Sequence, residues 1–166
     1  MKDQVSVAVT GLAWMGAGVG SIETAMERLF REAEHEILIT SYSISSAADA
    51  VLDWMALSAG RGVVIRFAVN KFSEQPYDVR TRLNKLNASY PHFTLFTFDG
   101  SDNEDLHAKA IVADRKFAIV GSSNLSRRGL LTNHELALIV QGHQAEIIAS
   151  ALDRLFASQA LTKIAP

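Results

Sequence analysis

His107 and Lys109 are separated by a single residue, and Ser122 and Asn124 repeat that spacing further along the chain. On an extended strand alternate side chains share a face. The run His107-Ala108-Lys109-Ala110 therefore sets an imidazole beside an ammonium and turns the alanines the other way. Two apolar runs, Leu106 to Ala113 and Phe117 to Gly121, are separated by Asp114, Arg115 and Lys116. That interval is too short for a crossover helix, so the runs are expected to pair antiparallel as a hairpin. Ser122 and Asn124, just beyond its second arm, then converge on the same point as His107 and Lys109. A nucleophile or proton carrier, a fixed cation and two neutral hydrogen-bonding groups would surround one small volume. Such a set suits a phosphoryl group, whose anionic oxygens need charge and donors and whose phosphorus needs an in-line attacker.

The segment from His107 to Glu135 resembles the signature of the phospholipase D superfamily, HxKxxxxD followed by GSxN. It stands here as His107, Lys109, Asp114, Gly121, Ser122 and Asn124, with no position missing. At average residue usage, chance occurrence of that pattern at fixed spacing is on the order of one in a million for one chain. Glu135 lies where members of that superfamily carry a carboxylate that orients the catalytic histidine. The chain as a whole looks like the small, single-motif bacterial nucleases of the group. The resemblance implies an α/β fold, a mixed β-sheet flanked by helices on both faces, with the active-site hairpin carrying HxK and GSxN. It also implies a two-step reaction needing no metal and no cofactor: one histidine attacks phosphorus, a second protonates the leaving oxygen, and water releases the product. Two motifs are needed and this chain has one. The implied assembly is therefore a homodimer whose two-fold axis passes through a shared site, with His107 of each copy facing the other. Within it Lys109 and Asn124 would bind the non-bridging oxygens, Ser122 would hold phosphate or the motif's loop, and Glu135 would hydrogen-bond the imidazole. Asp114, in the hairpin turn, and Gly121 belong to the motif as structural residues.

Each residue has a plainer reading. A lone histidine on a half-buried strand is more often structural than catalytic, Lys109 alone would be a solvated charge, and Ser122 to Asn124 alone would be a turn. Their joint spacing is what those readings leave unexplained. Arg127 and Arg128 follow the GSxN turn and either grip the phosphates flanking the scissile one or form a solvated basic turn. Arg80, Arg82 and Lys85 read as the wet face of a helix. His35, His92, His134 and His143 are expected to be surface or structural, and no cluster has metal-ligand spacing. Gly16, Gly18 and Gly20 lack the lysine of a phosphate loop and read as a connection between strand and helix. Trp54 lies on a helical stripe with Val51 and Met55 and is expected in the core, whereas Trp14, among the glycines, is the better candidate for a substrate or dimer contact.

The elements that must hold these groups alternate along the chain. Ile22, Ala25, Met26, Leu29, Phe30 and Ala33 recur at helical spacing behind Ser21, a capping residue. A strand over Ile37 to Ile44 leads to a helix around Ala47 to Ser58, closed by Gly60 and Gly62. Val63 to Val69 reads as a buried strand, Asp78 to Leu86 as a helix and Phe93 to Phe98 as another strand. Beyond the hairpin come a strand from Glu135 to Val140 and a closing helix with Ile147, Ile148, Ala151, Leu152, Leu155 and Phe156 inward. Strand–helix alternation followed by a hairpin is the pattern of a mixed α/β layer fold.

The chain has 166 residues, 48% apolar and 20% charged, which suits one compact domain over residues 1–166 and excludes disordered and fibrous classes. Val5 to Ile22 superficially resembles the apolar core of a secretion signal. Asp3 ahead of it and Gly11, Gly16, Gly18 and Gly20 within it fit a strand and loop better. With no cysteine there is neither disulfide framework nor thiolate chemistry, which agrees with a cytoplasmic protein without excluding a secreted or periplasmic form. The formal charge of -2 supplies no overall field for a polyanion, so any such substrate must be held locally. From Arg61 to Arg128 there are eleven basic residues against seven acidic. Asp99, Asp102, Glu104 and Asp105 form an acidic loop just before His107 that would repel a polyanion unless displaced, and they are read as a possible gate. A basic amphipathic helix or membrane anchor, expected for a lipid enzyme, is not evident. The expected function is a metal-independent phosphodiesterase, a nuclease acting on DNA or RNA. The alternatives are a phospholipase or cardiolipin-type lipid phosphodiesterase, and a non-catalytic nucleic-acid-binding or dimerisation module.

Overall fold

The computed structural model describes residues 3–16, 18–101 and 104–166. The elements run β1 (Gln4–Thr10), β2 (Gly20–Ser21), α1 (Ile22–Glu32), β3 (Glu36–Ser41), α2 (Asp49–Gly60), β4 (Val64–Asn70), a 3-10 turn (Phe72–Glu74), α3 (Tyr77–Ser89), β5 (Phe93–Phe98), β6 (Ala110–Ala113), β7 (Phe117–Gly121), α4 (Arg127–Leu131), β8 (Glu135–Gln141), α5 (His143–Phe156) and β9 (Thr162–Lys163). One mixed sheet takes the order β2-β1-β8-β7-β6-β3-β4-β5-β9. Strands β3, β4 and β5 are parallel, and α2 and α3 make the two crossovers between them. Strands β6, β7, β8 and β1 are successively antiparallel. The fold is therefore the expected mixed α/β sheet with helices on both faces.

Alternation along the strands separates two cores. Ile37, Ile39, Ile65, Phe67, Ile111 and Ile119 pack under α1, α2 and α3. Leu38, Ala68, Val112, Ala118 and Val140 pack under α5 through its Ala145, Ala149, Leu152 and Phe156. The expected inward face of α5 is thus partly wrong. Ile147 is 47% exposed and Ala151 is exposed, because the stripe of small residues lets the helix lie closer to the sheet. Ser21 caps α1 as expected, its hydroxyl accepting from the Thr24 N–H at 3.5 Å. Trp54 is half-buried against Phe30, with ring centroids 6.1 Å apart.

Helix α5 covers only part of its face. Val5, Val7, Val120, Leu136 and Leu138 point the same way and are 36% to 62% exposed. Register places Val7 beside Leu138 and Leu138 beside Val120, so they form one apolar patch across three strands.

The turn between β6 and β7 is fixed by Asp114. Its φ of 51° and the 57° of Arg115 are left-handed, the conformation that lets a tight hairpin follow the strand twist. The carboxylate accepts from the backbone N–H groups of Glu34, His35 and Glu36 at 2.9, 2.8 and 2.9 Å. Burial works to raise its pKa, but those three donors outweigh it and hold the carboxyl below the ordinary aspartate range. Beside it Glu36, Arg66, Arg115 and Asp153 form a four-membered ion network with contacts of 2.6 to 3.3 Å.

Candidate active site

Register brings the ends of five strands to one edge of the sheet. Thr40 of β3 pairs with Ala110, Ala110 with Val120, Gly121 with Ala137 and Glu135 with Thr10. Tyr42, Lys109, Ser122 and Glu135 therefore lie in a row at that edge. Gly121 is required there: a Cβ would sit 2.5 Å from the Leu136 carbonyl oxygen and 2.7 Å from Ala137, so no side chain fits between β7 and β8.

His107 and Lys109 do come together, though not through the expected strand. β6 begins only at Ala110. The Gly121 N–H donating to the Lys109 carbonyl at 3.2 Å extends the pairing by one residue and no further. The Lys109 ammonium stands 3.2 Å from His107 Nδ1 and donates to the His107 carbonyl at 2.8 Å. Partial burial of Lys109 lowers its pKa, and the nearby Glu135 carboxylate opposes that only in part. The imidazole is exposed. Tyr42, which the sequence reading passed over, walls this pair: its ring lies 4.8 Å from the His107 ring and 5.5 Å from Lys109 Nζ. Nothing in its local sequence marks it, since the contact arises only when β3 and β6 are neighbours.

On the other arm Ser122 donates to Glu135 and accepts from the Leu136 N–H at 3.3 Å, while Asn133 donates to the second Glu135 oxygen at 3.2 Å. The Ser122 hydroxyl is thus engaged with the carboxylate and the β8 backbone, which supports holding the loop as its role. Asn124 is half-buried, and its Oδ1, closed off from solvent, has no hydrogen-bond partner. The loop bearing it is tied to the segment after Tyr42, where the Ser45 N–H donates to the Leu125 carbonyl at 3.1 Å. Arg127 and Arg128 are exposed on α4, and neither forms an ion pair among the described residues. Arg82 departs from the expected solvated face: it joins α3 to α2 by contacts of 2.6 Å to both Asp49 and Asp53.

The rim differs on its two sides. In the loop after β1, Leu12, Trp14, Met15 and Val19 are exposed. His134 steadies this loop by accepting from the Ala13 N–H at 3.3 Å, with Trp14 6.0 Å from its ring. In the acidic segment, Asp102 lies outside the described residues. Asp99 accepts from Thr97 at 3.0 Å, and Asp105 pairs with Lys71 at 3.2 Å. Asp105 is therefore a neutralised anchor and not an open charge facing a polyanion. No group of three metal-ligating acids or histidines exists among the described residues, and no helix there is long and apolar enough to cross a membrane.

A mixed sheet with an imidazole, an ammonium, a serine and an asparagine gathered at one edge defines a phospholipase D-type phosphodiesterase fold. The chain belongs to that superfamily: the family model for the cardiolipin synthase, PLD-like domain matches residues 26–159. The fold is similar to that of Nuc, a phospholipase D family member from Salmonella typhimurium, with a TM-score of 0.78, 17% identity and coverage of 99% of this chain and 100% of that one. NucT from Helicobacter pylori follows at 0.77, 16%, 98% and 100%, and phosphatidylserine synthase from Haemophilus influenzae at 0.77, 16%, 98% and 40%. Among curated proteins the chain is similar to a DISARM protein, DrmC, of Bacillus paralicheniformis, with 28% identity over 141 residues. That match takes in 84% of this chain and only 58% of the relative's length.

Proposed function

We propose that this chain is a metal-independent phosphodiesterase that cleaves nucleic acid through a phosphohistidine, at a site completed by a second copy of itself. The observation that carries the reading is an exposed imidazole 3.2 Å from an ammonium, at the end of a sheet whose neighbouring apolar face is left uncovered. A neutral His107 attacks phosphorus; the P–N bond forms as the P–O bond breaks, and the second copy's imidazolium gives its proton to the leaving oxygen. Water then attacks, the P–N bond breaks, and the water's proton passes to the now neutral second imidazole. Lys109 and the Nδ2 group of Asn124 donate to the non-bridging oxygens, and Arg127 and Arg128 hold flanking phosphates. Glu135, held by Ser122 and Asn133, orients an imidazole in the assembled dimer.

One observation favours lipid as a second reading. Leu12, Trp14, Met15 and Val19 form an exposed, uncharged loop beside the site, the composition that seats a protein in a bilayer interface. The family model and one structural relative also carry lipid-enzyme names. The test incubates wild type and His107→Asn with single- and double-stranded DNA, RNA and phosphatidyl lipids in excess EDTA. Cleavage of nucleic acid that survives chelation and falls about a thousandfold in the variant supports the proposal. Cleavage confined to lipid establishes the second reading. A requirement for divalent metal overturns the mechanism, and binding without turnover would mark the chain as a non-catalytic module.

A further inference from the structure

The histidine that the chemistry depends on lies outside the sheet, three residues before β6 begins. Its position must therefore come from something other than the strand ladder. The segment from Gly100 to Lys109 has no regular structure among its described residues, yet it is tied down immediately before His107. Asn70, the last residue of β4, is 3% exposed. Its Oδ1 accepts from the Leu106 N–H at 2.8 Å, and its Nδ2 donates to Asp105 Oδ1 at 3.0 Å. One buried amide thus holds both residues that precede the imidazole. Gln75, 9% exposed, braces the same corner. Its Nε2 donates to the Asn70 carbonyl at 2.8 Å and approaches the Tyr42 carbonyl at 3.4 Å, while its Oε1 accepts from the Ile44 N–H at 3.0 Å. The network therefore reaches the two things that bound the imidazole: the backbone that carries it and the strand end that carries the Tyr42 ring packed on it.

We propose that Asn70, braced by Gln75, is a positioning residue for His107. It fixes the segment at Asp105 and Leu106 so that the imidazole rests between Tyr42 and Lys109, aimed at the scissile phosphorus. A side-chain amide is suited to this because it presents a donor and an acceptor at once. A buried network with every member satisfied holds one geometry and no other. Displacing a reacting group by about 1 Å costs on the order of a hundredfold in rate, so the effect belongs in kcat. Lys71 pairs with Asp105 from the solvent side. That contact neutralises the carboxylate but is exposed and screened, so the geometry rests on the buried amide.

The inference rests on the proposed catalytic role of His107, and the test separates the two. The full chain is prepared as wild type, Asn70→Ala, Asn70→Asp, Asp105→Asn and the double variant Asn70→Asp/Asp105→Asn. The readouts are kcat and KM on whichever phosphodiester wild type cleaves, the melting temperature, and the NMR signals of the His107 ring. Asn70→Asp sets two carboxylates against each other where an amide met a carboxylate, so kcat is expected to fall about ten- to a hundredfold with KM nearly unchanged and the ring signals shifted. The double variant restores donor and acceptor with their places exchanged. It is expected to recover most of kcat and the wild-type ring signals. Asp105→Asn keeps the oxygen that accepts from Asn70, so it is expected to stay close to wild type. A normal kcat with unshifted ring signals in Asn70→Asp overturns the proposal, as does a double variant no better than the single one. If Asn70→Ala fails to fold, the isosteric exchange decides. If wild type cleaves nothing, the functional reading fails on its own, and the ring signals of the exchange pair still decide whether Asn70 sets the imidazole.

Discussion

Lys109 serves a phosphodiesterase only while its ammonium carries a charge, and its setting pulls that charge in two directions. Partial burial lowers the pKa and Glu135 raises it, with burial the larger. In the proposed reaction the protonated form binds phosphate oxygens, so activity is expected to fall as pH rises through a value below the usual lysine range. Lys109→Arg, whose guanidinium stays protonated, should lose that alkaline limb while losing activity at every pH, because a planar fork does not replace a point charge. A pH–rate profile of the two proteins checks this, and superimposable alkaline limbs would dismiss it. Asp114 carries structure instead. Three backbone N–H groups bond its carboxylate, so Asp114→Ala is expected to cost about 2–4 kcal/mol, the sum of several charge-assisted bonds discounted for partial exposure. Its folded pKa is depressed, so the contribution is present above the unfolded value near ~4 and is lost as pH falls through the folded one. The stability gap between wild type and variant in denaturant titrations should accordingly shrink in acid. Residue types and spacing singled out His107, Lys109, Ser122, Asn124 and Asp114, and the structure brings His107 to Lys109, Ser122 to Glu135 and Asp114 into the hairpin turn. Tyr42, Asn70 and Gln75 were not legible, since each reaches the site from a strand end or turn distant in sequence and none belongs to a spaced motif.

At the scale of elements, the β6–β7 hairpin is pinched where Gly121 faces β8. A methyl group there would overlap the Leu136 carbonyl and Ala137, so Gly121→Ala must push the strands apart or twist β7. A cost of about 1–3 kcal/mol is expected, the usual range for forcing volume into a packed site. Because Ser122 follows directly and bonds Glu135 and the Leu136 N–H, activity should drop further than the melting temperature alone accounts for. Thermal melts read beside turnover at a temperature where the variant is folded would show it; full activity in the folded variant would mean that the strand spacing does not set the loop. The long elements were legible because each carries a sustained period: α1, β5 and β7 fall where apolar spacing puts them. The short ones were not. β2, β9 and α4 have two to five residues, too few to show a period, and they form because neighbouring strands and Ser126, whose hydroxyl accepts from the Gly129 N–H at 2.9 Å, supply partners. Helix α5 offers two stripes, one of large residues and one centred on Ala145 and Ala149. Close packing against the sheet selects the stripe that opens with Ala145 and Ala149 and continues through Leu152 and Phe156, which leaves Ile147 outside.

For the whole molecule the question is what covers the patch formed by Val5, Val7, Val120, Leu136 and Leu138. Helix α5 seals the far part of that face and stops short of it, leaving apolar side chains contiguous across three strands. An uncovered apolar patch is where a partner would dock. Leu136 follows Glu135 directly, and Val120 lies two residues before Ser122, so anything docked there borders the reactive groups. A second copy docked by a two-fold axis would meet the same patch with the same patch and set the two sites near each other, as the proposed reaction with its two imidazoles requires. Leu138→Lys tests this at the centre of the patch. In an isolated chain the position is on the surface, where a substitution is expected to change stability by no more than about 0.5 kcal/mol. In a dimer it would face its own counterpart, so two buried ammonium groups would oppose each other and association would be lost. The expected outcome is a folded monomer by light scattering, with activity per chain reduced about a hundredfold or more because proton donation to the leaving oxygen is missing. Wild-type activity per chain should likewise fall on dilution below the dimer dissociation constant. A Leu138→Lys protein that is monomeric and fully active would show that one copy of His107 suffices, and that the uncovered face serves another partner.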